Sequence, residues 1–233
     1  PRRKPGGMNY GYDRNLWGQS VELGAQQDPA KAAPEEAFTL TVNPIYAPNQ
    51  PEQAELEFRD GLPVALNGRR MNSVQLIERL NEMAGAHGIG RTDVIEDRLM
   101  GFKSREVYEA PAAHTLYAAK RALEQLTLSR ETLRVRDGLA VAYGQCIYNG
   151  QWHSDLREAL DAFYERINRA VTGKVAFYLY KGTATVVSRS SEYSLYAAGS
   201  ASGDQLTNVA AEGFIKVWSS PIAAEAKRKK KKK

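Results

Sequence analysis

The stretch that decides the fold is Ala54–Gly68, AELEFRDGLPVALNG. Ala54, Leu56 and Phe58 alternate with Glu55, Glu57 and Arg59, the period of two expected of a strand with one buried face. Asp60-Gly61 is a two-residue hairpin turn signal, Leu62–Leu66 returns as the second arm, and Asn67-Gly68 turns again. A second hairpin is predicted further on, where Val175, Phe177 and Leu179 alternate, Lys181-Gly182 turns, and Thr183–Arg189 pairs back. Upstream, Phe38, Leu40 and Val42 alternate with Thr39, Thr41 and Asn43 and predict another half-buried strand, after which Pro44, Pro48 and Pro51 break regular structure.

Helices fill the interval between the hairpins. Asn72 or Ser73 caps one with Leu76, Leu80 and Met83 on a single face, and Gly85 and Gly88 end it. Residues 93–108 read as extended or irregular. Pro111 opens a helix carrying Leu116, Ala119, Leu123 and Leu126. Ser129 caps the next, with Gly138 and Gly144 as weak points. Ser154 caps a third, whose stripe runs Leu156, Leu160, Phe163, Ile167, Val171 until Gly173 stops it. Ala197–Gly203 reads as a loop, and Gln205–Trp218 as one more helix. Strands and helices come in separate runs, so the expected class is α+β: antiparallel hairpins packed with several helices.

Composition is that of an ordinary globular chain: 233 residues, 42% hydrophobic and 25% charged. No run approaches the roughly 20 apolar residues that a spanning helix needs, and no apolar stretch follows the basic N-terminus, so neither membrane nor secretion is expected. The single cysteine, Cys146, forms no intramolecular disulfide and no CxxC metal site. A cytoplasmic protein is the resulting expectation. The first residue is proline, which leaves processing or a longer parent chain open. The net charge of +5 resides at the ends: Arg2–Lys4 and Lys227–Lys233 hold ten of the 32 Lys and Arg residues, leaving 22 against 27 Asp and Glu. The folded body is therefore acidic, and nucleic acid is an unlikely partner. The lysine run reads either as a solvated, disordered tail or as a contact for an anionic partner.

No self-sufficient catalytic motif occurs, and Gly85–Gly90 reads as a helix stop rather than a dinucleotide loop. His114 and His153 have no adjacent partner that would make them bases. Trp17, Trp152 and Trp218 are expected to bury apolar area, and Cys146 to be inert in an apolar helix. One segment is chemically dense: His87–Pro111, HGIGRTDVIEDRLMGFKSREVYEAP. Its charges fit either a surface ion-pair network or a pocket for a zwitterionic ligand, whose ammonium needs carboxylates and whose carboxylate needs cationic or hydroxyl donors.

The same segment, with Asn15-Leu16-Trp17-Gly18-Gln19-Ser20, Gly61–Gly68, Val171-Thr172-Gly173, Tyr180-Lys181-Gly182, Tyr193-Ser194-Leu195-Tyr196 and Glu212-Gly213-Phe214-Ile215, resembles the C-terminal, synthetase half of the argininosuccinate synthase family. The likeness runs from about Tyr10 to Trp218. It implies an ATP-dependent ligase of arginine biosynthesis, in which Mg-bound ATP activates the ureido oxygen of citrulline as a citrullyl-adenylate and aspartate then displaces AMP. It also implies a nucleotide-binding half, in cis or in trans, and a homotetramer. The implied layout is a lead-in at 1–9, a synthetase domain at 10–204, a C-terminal oligomerisation helix at 205–226 and a disordered lysine tail at 227–233. The family's citrulline contacts fall on Ser20, Glu96 and Tyr108, with Glu22 a weaker candidate. Gly11 stands where the family usually has a serine, nine positions before Ser20. The phosphate-cradling SGGxDTS-type loop does not occur in these 233 residues, so the chain is expected to be inactive by itself. The alternative is a non-catalytic binding or assembly module with a basic tail.

Overall fold

The computed structural model describes residues 11–22, 28–196 and 205–230. The predicted lead-in at 1–9 and loop at 197–203 lie outside them. The chain divides into two compact units, one up to Leu195 and one from Tyr196 onward.

The first unit contains two antiparallel sheets, so the α+β expectation holds. The larger sheet is built from β3 (Glu52–Arg59), β4 (Leu62–Leu66), β5 (Arg69–Arg70), β8 (Gly173–Tyr180) and β9 (Thr183–Ser190), in the order β5-β4-β3-β8-β9. Its hairpins close as the dipeptides foretold. Asp60-Gly61, Asn67-Gly68 and Lys181-Gly182 all have positive φ at both positions, matching the right-handed twist of the flanking strands. Ala54, Leu56 and Phe58 of β3 and Val175, Phe177 and Leu179 of β8 point into one core. Leu76, Leu80 and Met83 of α1 (Ser73–Ala86) and Leu116, Ala119 and Leu123 of α2 (Pro111–Thr127) cover them. The caps are as read: the side chains of Asn72, Ser129 and Ser154 accept from the amides of Gln75, Thr132 and Arg157.

The smaller sheet contains β1 (Gly11–Arg14), β2 (Gln19–Glu22), β6 (Arg91–Asp97) and β7 (Lys103–Glu109), in the order β1-β2-β7-β6. Residues 93–108 are thus a regular hairpin. The alternation was hidden because both of its faces carry charge.

Two helix readings and one strand reading change. α3 (Arg130–Tyr148) runs unbroken through Gly138 and Gly144. α4 (Asp155–Asn168) ends before Val171, whose fully buried side chain joins the sheet core from a loop while its carbonyl accepts from Gly61 N–H. The predicted strand at 38–42 is a loop, because its amides are bonded elsewhere, as described below.

In the second unit, α5 (Gln205–Trp218) and α6 (Ser220–Lys230) replace the single helix expected over 205–226. Pro221 lacks an N–H and is suited to a helix's first turn, so the chain restarts there. Residues 227–230, expected to be part of a disordered tail, complete α6. Lysine is a good helix former, and positive charge is favoured at a helix C-terminus. Residues 231–233 lie outside the described ones.

Leu56 is fully buried on the central strand β3. Leu56→Ala is expected to cost about 2–5 kcal/mol in urea unfolding.

Candidate functional site

The smaller sheet has two different faces because successive residues of a strand point to opposite sides. One face holds Gln19, Val21, Arg91, Asp93, Arg105, Val107 and Glu109. Val21 and Val107 are fully buried against Ala37, with Ala33 and Phe38 packed around them. Glu109 is also fully buried, and its carboxylate is saturated with donors. Oε2 accepts from Thr39 N–H at 2.8 Å and from the Gln19 amide at 3.0 Å. Oε1 accepts from Leu40 N–H at 3.0 Å, Thr41 N–H at 2.9 Å and the Thr41 hydroxyl at 2.6 Å. These bonds take up the amides of 39–41 and explain why that segment pairs with no strand. Arg91 extends the network, donating to the Thr41 hydroxyl and carbonyl and pairing with Glu35 while it lies over the Phe38 ring. Arg105 pairs with Asp93 and donates to the carbonyls of Asp28 and Lys31.

The opposite face gathers the residues that the resemblance singled out. Ser20 stands directly across from Tyr108, and Thr92 flanks Tyr108 on its other side. The Tyr108 hydroxyl donates to Glu96 Oε2 at 2.8 Å. Glu22 lies two residues along from Ser20, with Gly11 its partner on β1, and Asp13 faces Ser20. Arg98, at the β6–β7 turn, touches Glu22, Glu96 and Glu106. Ser20 and Tyr108 line an open concavity of about 380 Å³ with Asp13, Asn15 and Trp17. Glu96 does not line the concavity and is linked to it through the Tyr108 hydroxyl. One face of the hairpin thus carries an ion-pair network, and the other an open concavity with hydroxyl, phenol and carboxylate groups near it.

Electrostatics differ between the faces. Burial first, then the bond to the Glu96 carboxylate, push the Tyr108 phenol well above the usual tyrosine range, so it remains a donor. Burial raises Glu106, opposed by the adjacent Arg98 and reinforced by Glu22 and Glu96. On the other face, hydrogen bonds from Arg91 and Arg105 hold Glu35 and Asp93 below the ordinary carboxylate range.

The rim of the concavity is fixed by its own turn. The Asn15 side chain accepts from Trp17 and Gly18 N–H, and a Cβ at Gly18 would lie 2.6 Å from the Glu109 carbonyl oxygen. Asn81 of α1 donates to Leu16 O and accepts from Ala112 N–H, tying rim, α1 and α2 together. The tryptophans are less covered than expected: Trp17 is 43%, Trp152 50% and Trp218 67% exposed. Trp17 makes an edge contact with Tyr117, and Arg157 lies over Trp152. Cys146 is buried, and among the described residues no three candidate metal ligands cluster. No helix among them is long and apolar enough to cross a membrane.

Residues 10–224 match the family model described as the arginosuccinate synthase C-terminal domain. The chain belongs to the argininosuccinate synthase family. It is 49% identical over 215 residues to the argininosuccinate synthase of Synechococcus sp. (strain JA-3-3Ab), covering 91% of this chain and 53% of that protein. Against the argininosuccinate synthase of Symbiobacterium thermophilum it is 47% identical, covering 96% and 56%. Against that of Methanopyrus kandleri it is 48% identical, covering 89% and 53%. The chain spans about half the length of these curated relatives.

Beyond the positions suggested by the argininosuccinate synthase resemblance, sequence reasoning missed Glu109, Asn81 and Arg98. Arg98 and Glu109 stood among the charges of the dense 87–111 segment without an assigned role, and Asn81 left no trace.

Glu109→Gln replaces a saturated acceptor with a group that must present an NH₂ to amide donors. It is expected to destabilise the chain by about 3 kcal/mol in urea unfolding. The stability contributed by Glu35 and Asp93 is fully present above the unfolded carboxylate range near about pH 4 and is lost as pH falls through their lowered values. The double variant E35Q/D93N is therefore expected to flatten the acid limb of a plot of urea midpoint against pH.

Proposed function

We propose that this chain supplies the citrulline-binding half of an argininosuccinate synthase, a carbon–nitrogen ligase of the cytoplasm that works in arginine biosynthesis. The observation that carries the reading is the placement of Ser20, Tyr108 and Glu96 on one open face, with Ser20 opposite Tyr108 and the phenol bonded to Glu96. Ser20 donates a hydroxyl hydrogen bond to the ligand, Glu96 accepts from its ammonium or ureido N–H groups, and Tyr108 orients both. Glu22, held by Arg98, adds negative charge at the far end.

The chemistry is leaving-group activation. The ureido oxygen attacks the α-phosphorus of Mg-bound ATP, forming a C–O–P bond and releasing pyrophosphate. The amine of aspartate then adds to the activated carbon, and AMP departs with the original oxygen. A face that holds citrulline still contributes through orientation, because its ureido oxygen must meet the α-phosphorus in the first step and its carbon the aspartate amine in the second. ATP and aspartate are held mainly by the nucleotide-binding half. An open recognition face beside a hairpin tip with exposed Ile95, Leu99, Met100 and Phe102 suits completion by a second body. The exposed Phe214, Ile215, Val217 and Trp218 of α5 suit a homotetramer contact. One observation favours the alternative of a non-catalytic module of the same fold: Gly11, beside Glu22, offers no hydroxyl where the family usually has serine.

Calorimetry with citrulline tests the reading. The chain is expected to bind it, Tyr108→Phe to weaken binding about tenfold, and Gly11→Ser to tighten it severalfold. Pyrophosphate release from ATP and citrulline is expected only when a nucleotide-binding half is supplied. Absence of citrulline binding both with and without that half would refute the enzyme assignment.

A further inference from the structure

We infer that Arg98 is a positioning residue for Glu96, fixing the orientation of that carboxylate on the recognition face before a ligand arrives. Its bearing on recognition rests on the citrulline reading above; its structural content does not. Arg98 sits just beyond β6 in a turn closed by its own backbone: its N–H donates to Phe102 O at 2.8 Å, and its carbonyl accepts from Gly101 N–H at 2.8 Å. From this fixed base the side chain folds back over the sheet. Nε donates to Ser104 Oγ at 2.7 Å, and Nη2 donates to Glu22 Oε2 at 3.2 Å and to Glu106 Oε1. Nε also lies 3.6 Å from Glu96 Oε1.

The two oxygens of Glu96 are restrained unequally: Oε2 accepts the Tyr108 hydroxyl, while Oε1 faces the guanidinium's charge at 3.6 Å without a hydrogen bond. A hydrogen bond at one oxygen and a cation beside the other favour one orientation of the carboxylate, leaving lone pairs for ligand N–H donors. The arginine itself is anchored by Glu106, whose side chain is only 3% exposed. Three carboxylates from three strands converge on this one cation: Glu22 of β2, Glu96 of β6 and Glu106 of β7. Asp13 and Tyr108 complete the titratable groups of the face. Lys103 is turned away and paired with Asp97. Without Arg98 the carboxylates repel one another, and only the Tyr108 hydroxyl is left to oppose the displacement of Glu96. A lysine cannot replace it, since a point charge lacks the planar fork that reaches Ser104, Glu22 and Glu106 together.

The test uses the full chain with ¹³C-labelled tyrosine, the hydroxyl-bearing ring carbon of Tyr108 being assigned with Tyr108→Phe. Arg98→Gln alone strands the buried Glu106 and can unfold the chain, so the deciding variant is the charge-compensated R98Q/E106Q. The Tyr108 resonance in ligand-free R98Q/E106Q is expected to move to the position seen in Glu96→Gln. Citrulline affinity is expected to fall about tenfold while the urea midpoint stays at the wild-type value. Arg98→Lys restores neither signal nor affinity. A wild-type Tyr108 resonance in R98Q/E106Q overturns the inference whatever the affinity, since Arg98 then serves only to neutralise Glu106. A moved resonance in a chain that never binds citrulline leaves the positioning role standing and removes the functional reading instead.

Discussion

The smaller sheet depends on one buried carboxylate. Glu109 is withdrawn completely from water, which is tolerable only because three consecutive amides, a hydroxyl and a carboxamide converge on it. Those donors come from residues 39–41 and Gln19, so a single side chain binds a distant loop onto β7 and β2. Strand geometry does the rest. With Glu109 directed inward, Tyr108 must face outward, and antiparallel register then places Ser20 and Thr92 on either side of it. The polarity of the recognition face is set from behind.

The two sheets are stabilised by different means. The larger one rests on an extensive apolar core shared with α1 and α2, in which burial of aliphatic and aromatic side chains dominates. Among the described residues, the smaller one has only Val21, Ala37 and Val107 fully buried at its apolar centre, and relies on saturated polar contacts instead. Such networks are unforgiving of a missing partner, but they hold side-chain directions more tightly than greasy packing does. The hydroxyl, phenol and carboxylate groups of the opposite face are accordingly presented from a sheet with little freedom to shift.

What the sequence made legible was local. Two-residue turns needing positive φ, capping side chains and the period-two arms of β3, β4, β8 and β9 depend on neighbours in the chain, and they were found where expected. The failures share a cause. Phe38, Leu40 and Val42 alternate like a strand, yet the amides of Thr39, Leu40 and Thr41 belong to Glu109, about seventy positions away, and those of Phe38 and Val42 to the carbonyls of Glu35 and Gly85. Val171 keeps the spacing of α4 but is needed by the sheet core. The β6–β7 hairpin was obscured because charges serve both of its faces, so no hydrophobic rhythm emerged. The candidate ligand contacts came from family likeness rather than periodicity. Arg98 was legible only as one charge of a dense segment, because its partners Glu22 and Glu106 are joined to it by the sheet's register.

The clamp at Asn81 bears on how the chain tolerates insertions. Its side chain spans from the Leu16 carbonyl to the Ala112 amide, so the turn between β1 and β2 is held to a fixed length. Adding or deleting one residue there would shift the carbonyl off its donor and carry the misfit into the start of α2. The turn at 98–102, by contrast, leaves Leu99 and Met100 largely in solvent. That tip therefore accepts other side chains at 99 and 100, while the backbone bonds from Arg98 to Gly101 and Phe102 fix its residue count as well.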